Sequence, residues 1–223
     1  NVLIDLMAKY PKPSNSMPFV GGAIGYCSYE LNLKTTKNNA IDTMIIGIYD
    51  WAVIVDHFAK KSYIVSMLVD SKTEVFLPEL VSIFDRDMKN IPQDFKIKNS
   101  VSDNLSFKEY KNKFDKVMSY INAGDCYQIN LSKKFDVDTQ GDSWHLYKKF
   151  RDLNKSPFMA YLLYDDLEIL CGSPERFIKS KDGKVMTRPI KGTRVRGRDK
   201  ALDKKNANEL LNSLKDRSEN LMI

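Results

Sequence analysis

Phe177-Ile-Lys-Ser-Lys-Asp-Gly-Lys-Val-Met-Thr-Arg-Pro-Ile190 decides the architecture of this chain. Asp182-Gly183 sits between two β-prone runs, and an Asp-Gly pair in that setting is the strongest short-range signal for a tight hairpin. Just upstream, Phe158 to Tyr164 and Leu167 to Cys171 flank Asp165-Asp166, which predicts a second hairpin. Strands that return through such short polar links run antiparallel.

Working back from these hairpins, Asp142 can cap a short helix bearing Trp144, Tyr147, Phe150 and Leu153. Asp125 to Ser132 alternates strictly and predicts a strand, with Tyr127, Ile129 and Leu131 on one face and Gln128, Asn130 and Ser132 on the other. That polar face is either solvated or the lining of a cavity. Ser106 followed by Glu109 is a capping box, and Gly124 is placed to end the helix between them. Its apolar stripe is Phe107, Tyr110, Phe114, Val117, Met118 and Ile121. Residues 90–105 read as a polar linker, and residues 72–89 as a helix with Val75, Leu80, Ile83, Phe84 and Met88 on one face. Thr43 to Asp56 and Tyr63 to Val69 predict another hairpin. Glycines in Phe19 to Glu30 predict close backbone approach within a strand, and residues 11–18 predict a loop. Downstream of the opening stretch, the chain is predicted helical from about Asp199 to Met222.

Strands interspersed with helices, without βαβ regularity, define an α+β fold with largely antiparallel sheets and flanking helices. The organisation expected is residues 1–100 as one region and 101–223 as a second. With 43% hydrophobic residues, a sizeable core is available, in one globular domain or part of a larger one. Charged residues make up 29%, without a long run of one sign, so disorder is not expected for most of the chain. Cys27, Cys126 and Cys171 are odd in number and far apart, which fits neither a disulfide framework nor a zinc site and suits a reducing cytoplasm. No apolar run reaches the length of a bilayer span. The chain starts without methionine and stops inside an apolar stretch, Leu221-Met-Ile223. It is therefore expected to be a piece of a longer polypeptide.

The densest chemical constellation is Arg188-Pro-Ile-Lys-Gly-Thr-Arg-Val-Arg-Gly-Arg198, with five cations in eleven residues. It is either a plain exposed basic loop or a site for a small anion, where glycine admits close approach and cations meet carboxylates. As a nucleic-acid surface it lacks the interleaved aromatics that would stack bases. Lys191 stands among arginines, and neighbouring positive charge raises the neutral, nucleophilic fraction of an amine. Glu175, in Ser173-Pro-Glu-Arg-Phe177, can exchange a proton if it is held near that loop. Glu219 is a lone helical carboxylate that would need further oxygens to hold Mg2+.

Taken together, these stretches resemble the chorismate-utilising enzymes, a family that includes anthranilate synthase component I and aminodeoxychorismate synthase component I. The resemblance runs in family order across most of the chain. It is carried by Gly21-Gly-Ala-Ile-Gly-Tyr26 with Tyr29-Glu30, then Asp50-Trp51 and Asp56-His57, then Gly124-Asp-Cys-Tyr-Gln-Ile-Asn-Leu-Ser132. Pro157-Phe-Met-Ala-Tyr161, Ser173-Pro-Glu-Arg-Phe177, Arg188-Pro-Ile-Lys-Gly-Thr193 and Asp216-Arg-Ser-Glu-Asn-Leu-Met-Ile223 complete it. It implies part of the anthranilate synthase component I-like fold, incomplete in this chain.

The resemblance also implies chemistry. Water-using members carry a lysine at the position of Gln128; glutamine there is similar to the ammonia-using members. Anthranilate synthases typically have alanine where this chain has Lys191, so Pro-Ile-Lys-Gly-Thr resembles the para-aminobenzoate branch. By that likeness Lys191 attacks C2 of chorismate, Glu175 protonates the departing C4 hydroxyl, and ammonia then displaces the lysine. Gly192, Thr193 and Gln128 line the substrate cavity, and Glu219 is one of two glutamates that hold Mg2+. Ammonia is expected from a separate glutamine amidotransferase subunit, with neither nucleic acid nor membrane as partner. The second metal glutamate and the glycine-rich carboxylate clamps of the family lie beyond residue 223. The piece alone is expected to be inactive and to expose apolar surface.

Overall fold

A computed structural model describes residues 2–11, 17–32, 41–86 and 94–223. The chain divides into two compact units, Asn1–Ile91 and Pro92–Ile223. The first contains α1 (Val2–Met7), β1 (Gly22–Cys27), a 3-10 turn at Tyr29–Asn32, β2 (Met44–Tyr49), β3 (Trp51–Asp56), β4 (Lys61–Ser66) and α2 (Ser71–Phe84).

The run from Thr43 to Asp56 is two strands rather than one. β2 pairs with β1, with Ile24 opposite Gly47, and β3 pairs with β4, with Ile54 opposite Tyr63. The break falls at Asp50, whose buried carboxylate accepts the amides of Val69 at 3.0 Å and Asp70 at 3.2 Å. Its carbonyl accepts the Ser66 hydroxyl at 2.8 Å. A buried carboxylate must be met by donors, and here they come from about twenty residues downstream, which no local pattern reveals. The expected close approach at the glycine-rich strand is present: a Cβ on Gly25 would lie 1.9 Å from the Ile45 carbonyl. In α2 the buried residues are Thr73 and Leu80, while Val75 is exposed, so its inner face is rotated from the expected one. Residues 12–16 of the expected loop and Met88 of the expected helix lie outside the described residues.

The second unit contains β5 (Phe95–Ile97), β6 (Ser102–Asp103), α3 (Phe107–Ala123), β7 (Phe135–Asp136), β8 (Thr139–Gly141), α4 (Ser143–Leu153), β9 (Phe158–Leu163), β10 (Glu168–Ser173), β11 (Arg176–Lys181), β12 (Lys184–Arg188), α5 (Lys200–Asn212) and α6 (Leu214–Leu221). Part of the expected linker is strand: β5 pairs with β8 and β6 with β7, both antiparallel. Their partners are over thirty residues away, so composition could not identify them. α3 forms as read, with a complete capping box at Ser106 and Glu109 and a left-handed Gly124 at its end. The strand expected over 125–132 does not form; among the described residues this stretch has no ladder partner. Alternation specifies two faces but does not supply the neighbour that makes a strand.

Both downstream hairpins are present. Asp182 (φ 52°) and Gly183 (φ 72°) are both left-handed, as a type I′ turn requires. Against β9 and β10, α4 buries Tyr147, whose ring stacks on Trp144 at 5.4 Å and meets Tyr161 at 5.5 Å. Gly172 lets this helix close in, because a Cβ there would fall 2.4 Å from the Phe150 ring and from Asn154 Nδ2. Tyr147→Ala is expected to destabilise this unit by roughly 3 kcal/mol through the cavity left behind. Urea unfolding followed by tryptophan fluorescence measures it.

The fold is thus α+β, built from small antiparallel sheets, each of two strands among the described residues. The sizeable core allowed by composition is not realised there: Val20, Leu80 and Tyr147 are the buried apolar side chains. Two strands without a covering layer bury little.

Candidate active site

The stretch 188–198 leaves β12 and runs along α5 and α6. Arg194 reaches both helices: Nε donates to Glu209 at 3.0 Å and Nη2 lies 3.1 Å from Asp216 Oδ2. Its Nη1 also donates to the Thr193 carbonyl at 2.9 Å. Further along, Asn206 donates to the Val195 carbonyl at 2.7 Å. Arg196 meets Asp203 through two bonds of 2.7 Å, and the Gly197 amide donates to the same carboxylate at 2.8 Å. The helical segment expected as one piece is broken at Ser213, which ends α5 and caps α6 by accepting the Asp216 amide. A Ser-x-x-Asp cap inside an apolar periodicity is the sequence signal that could have located this break.

The five cations therefore divide into two groups. Arg194 and Arg196 are consumed by helix carboxylates, whereas Arg188, Lys191 and Arg198 have no ion-pair partner among the described residues. In this basic strip Arg188 and Arg198 are exposed and Lys191 is half-buried. Gly192 adopts φ 72°, and a Cβ there would lie 2.7 Å from Asp216 Cγ and 2.8 Å from Leu210 Cδ1. Gly192 thus lies against the side chains of Leu210 on α5 and Asp216 on α6. Glu219 lies three residues after Asp216, on the same side of that helix.

Glu175 lies between β10 and β11, exposed, with its amide donating to Ser173 Oγ at 3.3 Å. The ladder pairs Arg176 with Arg188, so Glu175 and the stretch carrying Lys191 leave the hairpin at the same end. Lys191 is half-buried and Thr193 exposed. Gln128 stands apart: it is exposed, and its side chain donates only to Asn130, at 3.3 Å, among the described residues. The structure therefore joins Lys191, Gly192, Thr193 and the Glu219 helix, places Glu175 at the adjoining hairpin end, and shows no contact between Gln128 and any of them.

Among the described residues there is no group of three or more His, Cys, Asp or Glu side chains that could hold a metal. Glu219 offers a hard oxygen donor of intermediate exposure, with Lys215 Nζ 4.0 Å away. A lone carboxylate suits Mg2+ only as one ligand among several. No helix among the described residues is long and apolar enough to cross a membrane.

Two carboxylates of the strip are held below the ordinary aspartate range. Asp203 is lowered first by its hydrogen bond to Arg196 and then by the Gly197 amide. Asp216 is lowered first by the Ser213 hydroxyl and then by the charge of Arg194. A carboxylate depressed by folding stabilises the fold above its unfolded pKa, about 3.9, and that contribution is lost as pH falls through the folded value. Arg196→Ala is expected to return Asp203 toward the ordinary range, which a carboxyl-detected NMR titration reads directly.

A model of the chorismate binding enzyme family matches residues 4–223. The chain belongs to that family. Among similar proteins are aminodeoxychorismate synthase component 1 of Salmonella typhimurium, 37% identical over 99% of this chain and 48% of that one, and the protein of the same name from Escherichia coli, 36% identical over 96% and 47%. Anthranilate synthase component 1 of Bacillus subtilis is 33% identical over 96% of this chain and 47% of its own length. This member of the chorismate-binding family thus spans about half the length of the curated relatives it matches. Its fold is that of anthranilate synthase component I from Streptococcus pneumoniae, with a TM-score of 0.79, 23% identity, and coverage of 100% of this chain and 52% of that one.

Proposed function

We propose that the polypeptide containing this chain is the aminating component of an aminodeoxychorismate synthase, making 4-amino-4-deoxychorismate from chorismate and ammonia. The observation that carries this reading is the placement of Lys191, an amine without a carboxylate partner among the described residues, at the end of the hairpin that also presents Glu175. The relatives named aminodeoxychorismate synthase component 1, at 36–37% identity, support it.

In this mechanism the lone pair of Lys191 Nζ forms a bond to ring carbon C2. Both ring double bonds shift, C1=C2 to C1=C6 and C5=C6 to C4=C5, the C4–O bond breaks, and the hydroxyl leaves as water with a proton from Glu175. Ammonia then bonds to C4 and the lysine nitrogen departs from C2, regenerating the amine. Gly192 and Thr193 border the reacting ring. By the family likeness alone, glutamine rather than lysine at position 128 goes with ammonia, not water, as the nucleophile. Glu219 would hold Mg2+, whose charge would neutralise a substrate carboxylate. A glutamine amidotransferase subunit supplies the ammonia, in the cytoplasm.

The test is product identity. The intact polypeptide, given chorismate, ammonium and Mg2+, should yield the para-amino compound by chromatography and mass spectrometry. Anthranilate as product would assign the ortho branch, consistent with the Bacillus subtilis relative, and no aminated product would refute the reading.

A further inference from the structure

Two cations of the 188–198 stretch are not available to an anion, and one of them makes a connection the proposed chemistry does not use. Arg194 bridges Glu209 on α5 and Asp216 on α6, one on each side of the break at Ser213. Its side chain is 29% exposed and that of Asp216 is 12% exposed, so this pair is far more enclosed than the other ion pairs of the strip. Asp216 is fixed from three directions. Its amide donates to Ser213 Oγ at 3.3 Å, its Oδ2 faces Arg194, and its carboxyl lies against Gly192, where no side chain can fit. The residue before Gly192 is Lys191; three residues beyond Asp216 is Glu219.

We propose that Arg194 and Asp216 are positioning residues, whose ion pair locks the Lys191 turn to the helix of Glu219 so that nucleophile and cation ligand keep one fixed spacing. The inference rests on the roles assigned to Lys191 and Glu219 above. Its physical basis is that glycine is conformationally free, so a turn at Gly192 keeps one geometry only when neighbouring groups hold it. Gly192 has no side chain to anchor it, so the anchor comes from the neighbour two residues on. Arg194 meets the cavity-bordering Thr193 only at its carbonyl, a backbone contact that again fixes the turn. It acts by where it puts Lys191, and a displacement of about 1 Å at a reacting atom can cost on the order of 100-fold in rate.

The experiment uses the intact polypeptide with Asp216→Asn, Arg194→Gln, the double variant and Asp216→Glu. Amide hydrogen exchange by mass spectrometry and steady-state kinetics with chorismate are the two readouts. Each single variant should speed exchange in the 190–195 peptide by ~10-fold while leaving the β9–β10 hairpin unchanged. Each should lower kcat by ~10- to 100-fold with KM within about threefold, since the ion pair does not contact substrate. The double variant should be no worse than the worse single, because one interaction is lost in all three. Asp216→Glu should recover most of kcat. Should Asp216→Asn fail to fold, Arg194→Gln carries the same contrast from the other partner.

Unchanged exchange at 190–195 would overturn the proposal. So would single losses that multiply in the double variant, or a rise in KM with kcat intact, which would mark Arg194 as a direct substrate contact. If the wild-type protein does not aminate chorismate, the functional reading fails, yet the exchange data still decide whether this pair fixes the turn.

Discussion

Lys191→Ala in the intact polypeptide is expected to lower chorismate amination at least ~1000-fold, because the variant must displace a poor leaving group in one step. Lys191 is half-buried beside Gly192, and among the described residues its amine has no carboxylate partner. An amine committed to a salt bridge would have to break it before attacking carbon. Here the neighbouring carboxylates Glu209 and Asp216 are occupied by Arg194 instead. The loss should appear in kcat, with KM little altered, since the covalent bond belongs to the reaction path and not to initial binding. Stopped assays of chorismate consumption measure it, with circular dichroism confirming an unchanged fold. Residual turnover within tenfold of wild type would remove Lys191 from the mechanism.

Gly192→Ala is expected to be nearly as damaging, for a reason that is entirely steric. The backbone at this residue is left-handed, which costs a side-chain-bearing residue on the order of 1–3 kcal/mol. The new methyl would also lie 2.7 Å from Asp216 Cγ and 2.8 Å from Leu210 Cδ1. The Leu210 methyl can turn aside, but Asp216 cannot yield cheaply, because its carboxylate is held by Arg194 and its backbone by Ser213. The turn must therefore move, carrying Lys191 with it, and a shift of that size should cost at least ~100-fold in kcat. Gly183→Ala is the matched control. It shares the positive φ, at 72°, but has open space at the Cβ position, so it should cost stability without a comparable loss of turnover. Equal effects on kcat at the two glycines would show that backbone strain alone, without contact against α6, explains the first.

Much of the fold was legible because its signals are local. The Ser106–Glu109 capping box, Gly124 as a helix stop, the Asp182–Gly183 turn and the Asp142 cap all act within four residues of chain. The failures share the opposite property. The break at Asp50 depends on amides at Val69 and Asp70. The pairing of residues 95–97 depends on 139–141. The stretch 125–132 has a strand's alternation but no partner among the described residues. In each case a distant backbone supplies or withholds hydrogen bonds, and periodicity carries no information about it.

Sequence by itself determined the family, through motifs in a fixed order, and named the residues on which the proposed chemistry depends. It did so because residue type limits what a side chain can do: only certain groups attack carbon, move a proton or bind a hard cation. Tertiary structure alone decided which cations of the 188–198 stretch are paired, since pairing depends on which carboxylates α5 and α6 bring within about 3 Å. It also decided that Gly192 is a contact with Asp216 as well as a turn, because a close approach between residues 24 positions apart exists only once the chain has folded.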